Sequence, residues 1–200
     1  MPAPIDFYFD FSSPYGYIAA HKIEALAARH GRTVNWRPTL LGAIFRVTGS
    51  QPLPGIPLKG EYALRDFRRS ALFHGVPYRP PSKMPVPTLS AVRAFYWSQA
   101  KDAARSVALA KALYNGYFQN DRDISDALVV VAIAVETGFP ADEVQAGLND
   151  PAVKELTKRT GDEAVARGVF GSPYLIVDGE PFWGMDRFDQ VDRWLATGGW

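Results

Sequence analysis

The chain has 200 residues, of which 47% are hydrophobic, and it contains no cysteine. A chain of this length can bury one sizeable core, as a single domain or as a domain carrying an insertion. Twenty-two Lys and Arg residues against 21 Asp and Glu residues leave a formal charge of +1, so no overall field attracts nucleic acid or an acidic membrane surface. The lack of cysteine excludes disulfides, thiolate metal sites and a protein-borne thiol nucleophile.

The amino terminus, M-P-A-P-I-D, lacks the basic start of a secretory signal, and no apolar run approaches the roughly 20 residues that span a bilayer. We therefore expect a cytoplasmic protein with no membrane partner. His21, His30 and His74 lack the spacing of metal ligands, so we expect no metal site.

The first part of the chain predicts a β-α-β unit. Residues 5–11 indicate a buried strand, residues 14–30 a helix, and residues 33–37 a second strand stopped by Pro38. Residues 49–60 are rich in Gly and Pro and predict an ordered loop or a mobile lid, a common place for a binding segment.

The middle of the chain, from Glu61 to about Gly168, is predicted to be helical. Three apolar stripes at helical spacing indicate core faces of successive helices, and we assign them no cofactor. The stripes are Leu109, Leu113, Tyr114, Tyr117 and Phe118, then Ile124, Leu128, Val131 and Val135, then Val153, Leu156 and Ala164 in a helix that starts at Asp150-Pro151.

The end of the chain returns to strands. Tyr174 to Val177 predicts a strand, Asp178-Gly179 a tight hairpin turn, and Pro181 to Trp183 the returning strand. The last helix is expected to turn four apolar side chains inward: Phe188, Val191, Trp194 and Leu195.

Strands at both ends of a helical middle predict the fold class. We predict an α/β protein with a thioredoxin-like fold interrupted by an inserted all-helical domain. The thioredoxin-like domain would be discontinuous, formed by residues 1–48 and 169–200. Residues 49–168 would form the inserted loop and helical domain.

The junction of the first strand and first helix is the leading candidate for chemistry. Ser13 followed by Pro14 has the form of an N-cap and a first helical position. The first N–H groups of a helix lack internal partners and favour an anion nearby. Capping alone would explain Ser13, but a hydroxyl has one donor and two acceptor sites, so a cap could also donate to a ligand.

Four segments of the chain carry a family resemblance: F-D-F-S-S-P-Y-G-Y at 9–17, L-K-G-E-Y at 58–62, V-F-G-S-P-Y at 169–174 and W-G-M-D-R-F at 183–188. Their order and spacing resemble the 2-hydroxychromene-2-carboxylate isomerases and their near relatives, the kappa-class glutathione transferases. DsbA-type oxidoreductases carry Cys-Pro-x-Cys where this chain has Ser13-Pro14-Tyr15-Gly16, so disulfide exchange by the protein is excluded.

The resemblance implies glutathione as cofactor and a set of residues around it. It implies that the Ser13 hydroxyl supports the glutathione thiolate as the catalytic group, that the backbone at Ser172 and a cis Pro173 pairs with the cysteinyl part, that Lys59 lies near the tripeptide, and that Met185 and Asp186 hold the γ-glutamyl end. Ser50 stands where kappa enzymes have an asparagine. Taken singly, Lys59 reads as a surface lysine, Pro173 as a strand-entry proline and Asp186 as the N-cap of the last helix.

The resemblance also implies a reaction: the reversible, glutathione-dependent conversion of 2-hydroxychromene-2-carboxylate, an aromatic carboxylate, into trans-o-hydroxybenzylidenepyruvate. It further implies a homodimer. Arg65, Arg69 and Arg93 are candidates for binding the substrate carboxylate by charge alone. Two alternatives stay open, namely a kappa-type glutathione transferase or peroxidase that consumes glutathione, and a non-catalytic thioredoxin-fold module that binds extended peptides.

Overall fold

A computed structural model describes residues 2–200 as a four-stranded mixed sheet with helices on both faces. The strands are β1 (Ile5–Phe9), β2 (Val34–Pro38), β3 (Tyr174–Val177) and β4 (Glu180–Trp183). The helices are α1 (Pro14–Ala20), α2 (Ile23–Arg29), α3 (Leu41–Thr48), α4 (Lys59–Phe73), α5 (Leu89–Lys101), α6 (Ala103–Phe118), α7 (Ala127–Glu136), α8 (Ala141–Asn149), α9 (Pro151–Ala166) and α10 (Phe188–Thr197). Short 3-10 helices lie at Leu53–Gly55 and Met185–Arg187.

The sheet has the order β2-β1-β3-β4. β1 and β2 are parallel with Phe7 opposite Trp36, whereas β3 is antiparallel to β1 and places Leu175 opposite Phe7. β3 and β4 form the predicted hairpin, in which Asp178 and Gly179 both have positive φ, the geometry of a tight two-residue turn. The α/β class and the thioredoxin-like fold are therefore confirmed.

The helices between β2 and β3 share one core with the sheet. Phe9 of β1 lies 5.6 Å from Tyr114 of α6 between ring centroids, and Phe11 lies 5.2 Å from the same ring. Both phenylalanines and Tyr114 are fully buried. Division of the chain into residues 1–48 with 169–200 and residues 49–168 remains a prediction, and the two parts pack on one another through these aromatic rings.

Several predicted boundaries need correction. The single helix over 14–30 is two helices, because the amides of His21 and Lys22 bond carbonyls three residues back and so tighten and end α1. The first strand ends at Phe9 and not at residue 11, since Asp10 enters a turn whose carbonyl accepts from the Ser13 amide. Helix α3 is not among the elements that the sequence predicts.

The prediction that Ile124, Leu128, Val131 and Val135 form one buried face is also wrong in part. Leu128 and Val135 of α7 are 69% and 46% exposed, and the buried side chains there include Val130 and Ile133. The α7 sequence A-L-V-V-V-A-I-A-V-E is apolar all round, so its period does not select a face. No helix within residues 2–200 is long and apolar enough to cross a membrane.

Candidate active site

Ser13 caps α1 as predicted. Its Oγ accepts a hydrogen bond from the Gly16 amide at 3.0 Å, and Pro14 occupies the first turn. The same Oγ donates to the carbonyl oxygen of Ser172 at 3.0 Å. A Cβ at residue 16 would lie 2.6 Å from Ser172 Oγ, so glycine is required for this close approach. Ser13 is thus buried at the junction of α1 and the loop that leads into β3.

The Ser172-Pro173 segment is held from both sides of that junction. The peptide bond between these residues is cis, as the family resemblance implies. Ser172 Oγ accepts from the Asp10 amide at 3.0 Å, and the Pro173 carbonyl accepts from the Gly184 amide at 3.0 Å. Contacts to β1 and to the end of β4 therefore fix the segment beside Ser13.

A cavity of about 1300 Å³ opens at this edge of the sheet. Its walls come from α1, α3, the loop before α4, the start of α5 and the segments around Ser172 and Trp183. Six sequence-predicted positions line it: Ser13, Ser50, Lys59, Ser172, Met185 and Asp186. Pro173 is buried directly behind Ser172.

Lys59 is the first residue of α4, and an unusual turn precedes it. Leu58 has φ 64° and ψ −47°, and the Lys59 amide bonds the Pro57 carbonyl at 2.7 Å. This is a γ-turn of the rare kind with positive φ, which is strained for a residue with a side chain. Leu58 itself is 92% exposed, so the turn serves the backbone course into α4 and not the packing of Leu58.

Met185 and Asp186 lie in a 3-10 turn after β4. Met185 is buried, and Asp186 pairs with Arg187 at 2.9 Å. The interpretation of Asp186 as the N-cap of the last helix is wrong, because Arg187 occupies that position. Asp186 is therefore an exposed carboxylate at the cavity wall.

Asp10 is a cavity-lining residue that sequence reasoning missed. Its carboxylate accepts from the amides of Ser12 at 2.7 Å and Leu41 at 2.8 Å, and from the Thr88 hydroxyl at 3.3 Å. Burial raises the pKa of Asp10 despite these three donors. Leu41 begins α3 and Thr88 immediately precedes α5, so this one carboxylate joins the starts of two helices to the Ser13 segment. The only sequence signal was an acid at the end of an apolar strand.

A second missed pair is Tyr15 and Asp66. The Tyr15 hydroxyl donates to the Asp66 carboxylate at 2.5 Å, and both residues line the cavity. Burial, followed by the hydrogen bond to Asp66 and then the Asp66 charge, raises the pKa of Tyr15 well above its ordinary value. Arg69 and Ser70 also donate to Asp66. Asp66 therefore adds a further carboxylate, besides Asp186, to the lining of the cavity.

The candidate arginines need correction. Arg65, Arg69 and Arg93 do not line the cavity; Arg69 is occupied with Asp66, and Arg93 lies near the Leu148 carbonyl. The cavity-lining basic side chains within residues 2–200 are Arg46, Lys59, His74 and Arg187. Burial lowers the pKa of His74, which favours its neutral form. No group of three His, Asp or Glu side chains in this part of the chain lies close enough to hold a metal ion.

The chain is similar to known proteins over almost its whole length. The chain is 28% identical over 201 residues to a 2-hydroxychromene-2-carboxylate isomerase of Sphingobium xenophagum, covering 98% of this chain and 99% of the relative. It is also 28% identical over 205 residues to glutathione S-transferase kappa 2 of Caenorhabditis elegans, covering 96% and 91%.

A solved structure of a 2-hydroxychromene-2-carboxylate isomerase shares the fold, with a TM-score of 0.86 at 24% identity over 96% of this chain and 94% of that one. The model of the DsbA-like thioredoxin domain matches residues 4–196. The chain therefore belongs to the DsbA-like thioredoxin domain family.

Proposed function

We propose that the protein is a glutathione-dependent isomerase that interconverts 2-hydroxychromene-2-carboxylate and trans-o-hydroxybenzylidenepyruvate, a reaction of polycyclic aromatic catabolism. The observation that carries the proposal is the position of Ser13. Ser13 caps α1, and its hydroxyl donates to the carbonyl of Ser172, the residue before a cis proline. Ser13 also lines a large cavity in a protein without cysteine. A hydroxyl in the place of a redox cysteine can support a sulfur anion but cannot exchange disulfides.

The cavity suits glutathione in size and in charge. Ligand cavities usually enclose about 300–1,000 Å³, and this one measures about 1300 Å³, so a tripeptide would leave space for a second molecule. Glutathione carries two carboxylates and one ammonium group. Lys59 would attract a carboxylate. Asp66 and Asp186 each pair with an arginine and would share their carboxylates between that arginine and the ammonium group, and all three residues line the cavity.

The chain's own groups have defined roles in this proposal. The Ser13 hydroxyl donates a hydrogen bond to the sulfur and so stabilises the thiolate over the neutral thiol. The Ser172 backbone pairs with an extended peptide, the mode by which sheets add a strand. Met185 and Asp186 orient the γ-glutamyl end of glutathione, and Lys59 attracts a carboxylate. Ser50 takes the place of the family asparagine. When bound, glutathione supplies a thiolate that adds reversibly to a conjugated double bond, which permits rotation.

The energies are of the right size. Lowering a thiol pKa from about 8.5 to about 7 requires about 2 kcal/mol. A hydrogen bond to a charged group contributes about 1.5–3 kcal/mol. The Ser13 hydroxyl is therefore sufficient in principle, and Lys59 adds a positive charge to the lining of the cavity.

The test is the ultraviolet time course of 2-hydroxychromene-2-carboxylate with the protein, with and without catalytic glutathione. We expect approach to a fixed equilibrium mixture only when glutathione is present, with the free thiol undiminished. No spectral change in either condition would refute the isomerase.

A kappa-type transferase is a second candidate, since a kappa transferase is as similar in sequence to this chain as the isomerase is. Loss of free thiol during turnover with an electrophile or peroxide would support it.

The proposal also includes a cytoplasmic homodimer. Light scattering after size-exclusion chromatography would measure the oligomeric state.

A further inference from the structure

Residues from both faces of the sheet line the cavity. We name the two groups the α1 side and the α3 side, after the helix that packs on each face. Tyr174 and Ile176 of β3 pack with Ile44 and Leu41 of α3 on one face of the sheet. Leu175 and Val177 of β3 point to the other face, into the core that includes α1 and Met185. Lys59, Asp66 and Asp186 belong to the α1 side, because α4 and the 3-10 turn at Met185–Arg187 both contact α1. The charged residues proposed for glutathione therefore lie on the α1 side, whereas Ser50 follows the end of α3 by two residues.

Aromatic side chains line the α3 side of the cavity. Trp183 is the cross-strand partner of Tyr174, so it projects from the same face of the sheet. Phe170 lies 4.9 Å from Trp183 and 5.3 Å from Tyr174 between ring centroids. Trp183 is 54% exposed and Phe170 is 42% exposed, and both line the cavity with Phe45 of α3.

The position of Trp183 requires glycine at residue 171. A Cβ at Gly171 would lie 2.2 Å from the indole Nε1. Gly171 immediately precedes Ser172, so the indole lies against the segment that carries the Ser172 carbonyl. An exposed tryptophan fixed next to the proposed thiol site is suited to contact a planar reactant.

Arg46 supplies the charge on this side. It lies one residue after Phe45 on α3 and lines the cavity from an exposed position. Among residues 2–200, Arg46 and Lys59 are the two cavity-lining Lys or Arg side chains without an ion pair, since Arg187 is paired with Asp186. Lys59 is on the α1 side. Arg46 is thus the cation available to an anion that rests on the aromatic wall.

We propose that Arg46, with Trp183 and Phe170, forms a second subsite of the cavity that binds a planar aromatic carboxylate, the guanidinium taking the carboxylate and the two rings taking the aromatic face. The inference rests on the proposed function, because it supplies the carboxylate partner for the same reaction. Arginine suits this role because its planar fork donates two parallel hydrogen bonds to a carboxylate.

The experiment measures binding of two probes by isothermal titration calorimetry to the full chain saturated with glutathione, and separately without it. The probes are 2-hydroxycinnamate and its uncharged amide. The wild type is expected to prefer the acid, and Arg46→Ala to weaken acid binding about ten- to hundredfold while leaving amide binding unchanged. Arg46→Lys is expected to retain part of the preference, and Trp183→Ala to weaken both probes alike.

The matched control is Arg65→Ala, since Arg65 is an exposed arginine of α4 outside the cavity. Equal acid binding by wild type and Arg46→Ala would overturn the proposal, as would unchanged binding of both probes by Trp183→Ala. Titration of glutathione into the same variants separates the two proposals. If glutathione fails to bind but the acid preference still depends on Arg46, the subsite stands and the glutathione-dependent isomerase fails.

Discussion

Ser13 and Ser172 are joined by a direct hydrogen bond in which the Ser13 hydroxyl donates to the Ser172 carbonyl oxygen at 3.0 Å. A hydroxyl has one proton, so donation to a ligand sulfur requires that proton to leave the carbonyl. The Ser172 carbonyl then needs another donor, which the amide of an extended peptide provides. On the proposed function, glutathione binding therefore occurs together with the switch of the Ser13 hydroxyl from the Ser172 carbonyl to the glutathione sulfur.

Removal of the Ser13 hydroxyl tests this role. We expect Ser13→Ala and Ser13→Gly to lower kcat/KM for the isomerisation by about ten- to hundredfold, the loss of one hydrogen bond to a charged group. The two variants differ in stability, because alanine at an N-cap costs about 0.5–2 kcal/mol and glycine only a few tenths. Equal activity losses with unequal melting temperatures would separate chemistry from capping.

Full activity in either Ser13 variant would remove the hydroxyl from the mechanism. Ser125→Ala is a suitable control, since Ser125 is an exposed serine in the turn before α7 and lies outside the cavity. It should leave both turnover and the pH dependence of glutathione thiolate absorbance unchanged.

Asp6 gives a prediction about stability and pH. Its burial raises the pKa, but hydrogen bonds from Arg37 at 2.8 Å and Arg167 at 2.7 Å outweigh burial, so the pKa of Asp6 lies below its usual value. The unfolded chain then binds a proton more readily than the folded one. The stabilisation is complete above the unfolded pKa of about 4 and is lost as the pH falls through the lowered folded pKa.

We expect Asp6→Asn to reduce the free energy of unfolding at pH 7 by about 1–3 kcal/mol. The difference from the wild type should shrink below pH 4, as measured by urea unfolding across a pH series. Asp162→Asn, at an exposed position of α9, is the matched control for the loss of one surface carboxylate. A constant deficit for Asp6→Asn at every pH would contradict the ion-pair account.

Local chemistry explains which features the sequence predicts well. The Asp178-Gly179 turn and the Ser13-Pro14 cap depend on residues within a few positions of one another. Asp10 could not be assigned because its partners, Leu41 and Thr88, are 31 and 78 residues away. The family resemblance identified positions that line one cavity. Residue type alone did not select Arg46, because α3 was not predicted and charge does not distinguish one arginine from another.

Gly171 tests the placement of Trp183. A methyl group there would meet the indole at 2.2 Å, so we expect Gly171→Ala to displace Trp183, change the intrinsic fluorescence and weaken binding of aromatic ligands. Gly161→Ala is the matched control, since nothing lies within 4 Å of its Cβ in α9. That control should stabilise the protein by about 0.5–1 kcal/mol with unchanged fluorescence. Unchanged fluorescence in Gly171→Ala would show that Trp183 does not depend on this glycine.

The turn at Leu58 gives the last prediction. Positive φ in a residue with a side chain costs about 1–3 kcal/mol, and glycine there would remove that strain at an entropic cost of about 0.4–1 kcal/mol in the unfolded chain. Leu58 is 92% exposed, so its side chain contributes little packing that would be lost. We therefore expect Leu58→Gly to raise the midpoint of urea unfolding.

Leu64→Gly provides the contrast within the same helix. Leu64 is 47% exposed in the interior of α4, where glycine costs about 1 kcal/mol. Destabilisation of the protein by both variants would show that the γ-turn is not strained. If Leu58→Gly instead stabilises the protein and weakens glutathione binding, the strain in this turn serves to hold Lys59 at the cavity wall, because Lys59 is the residue whose backbone the turn directs.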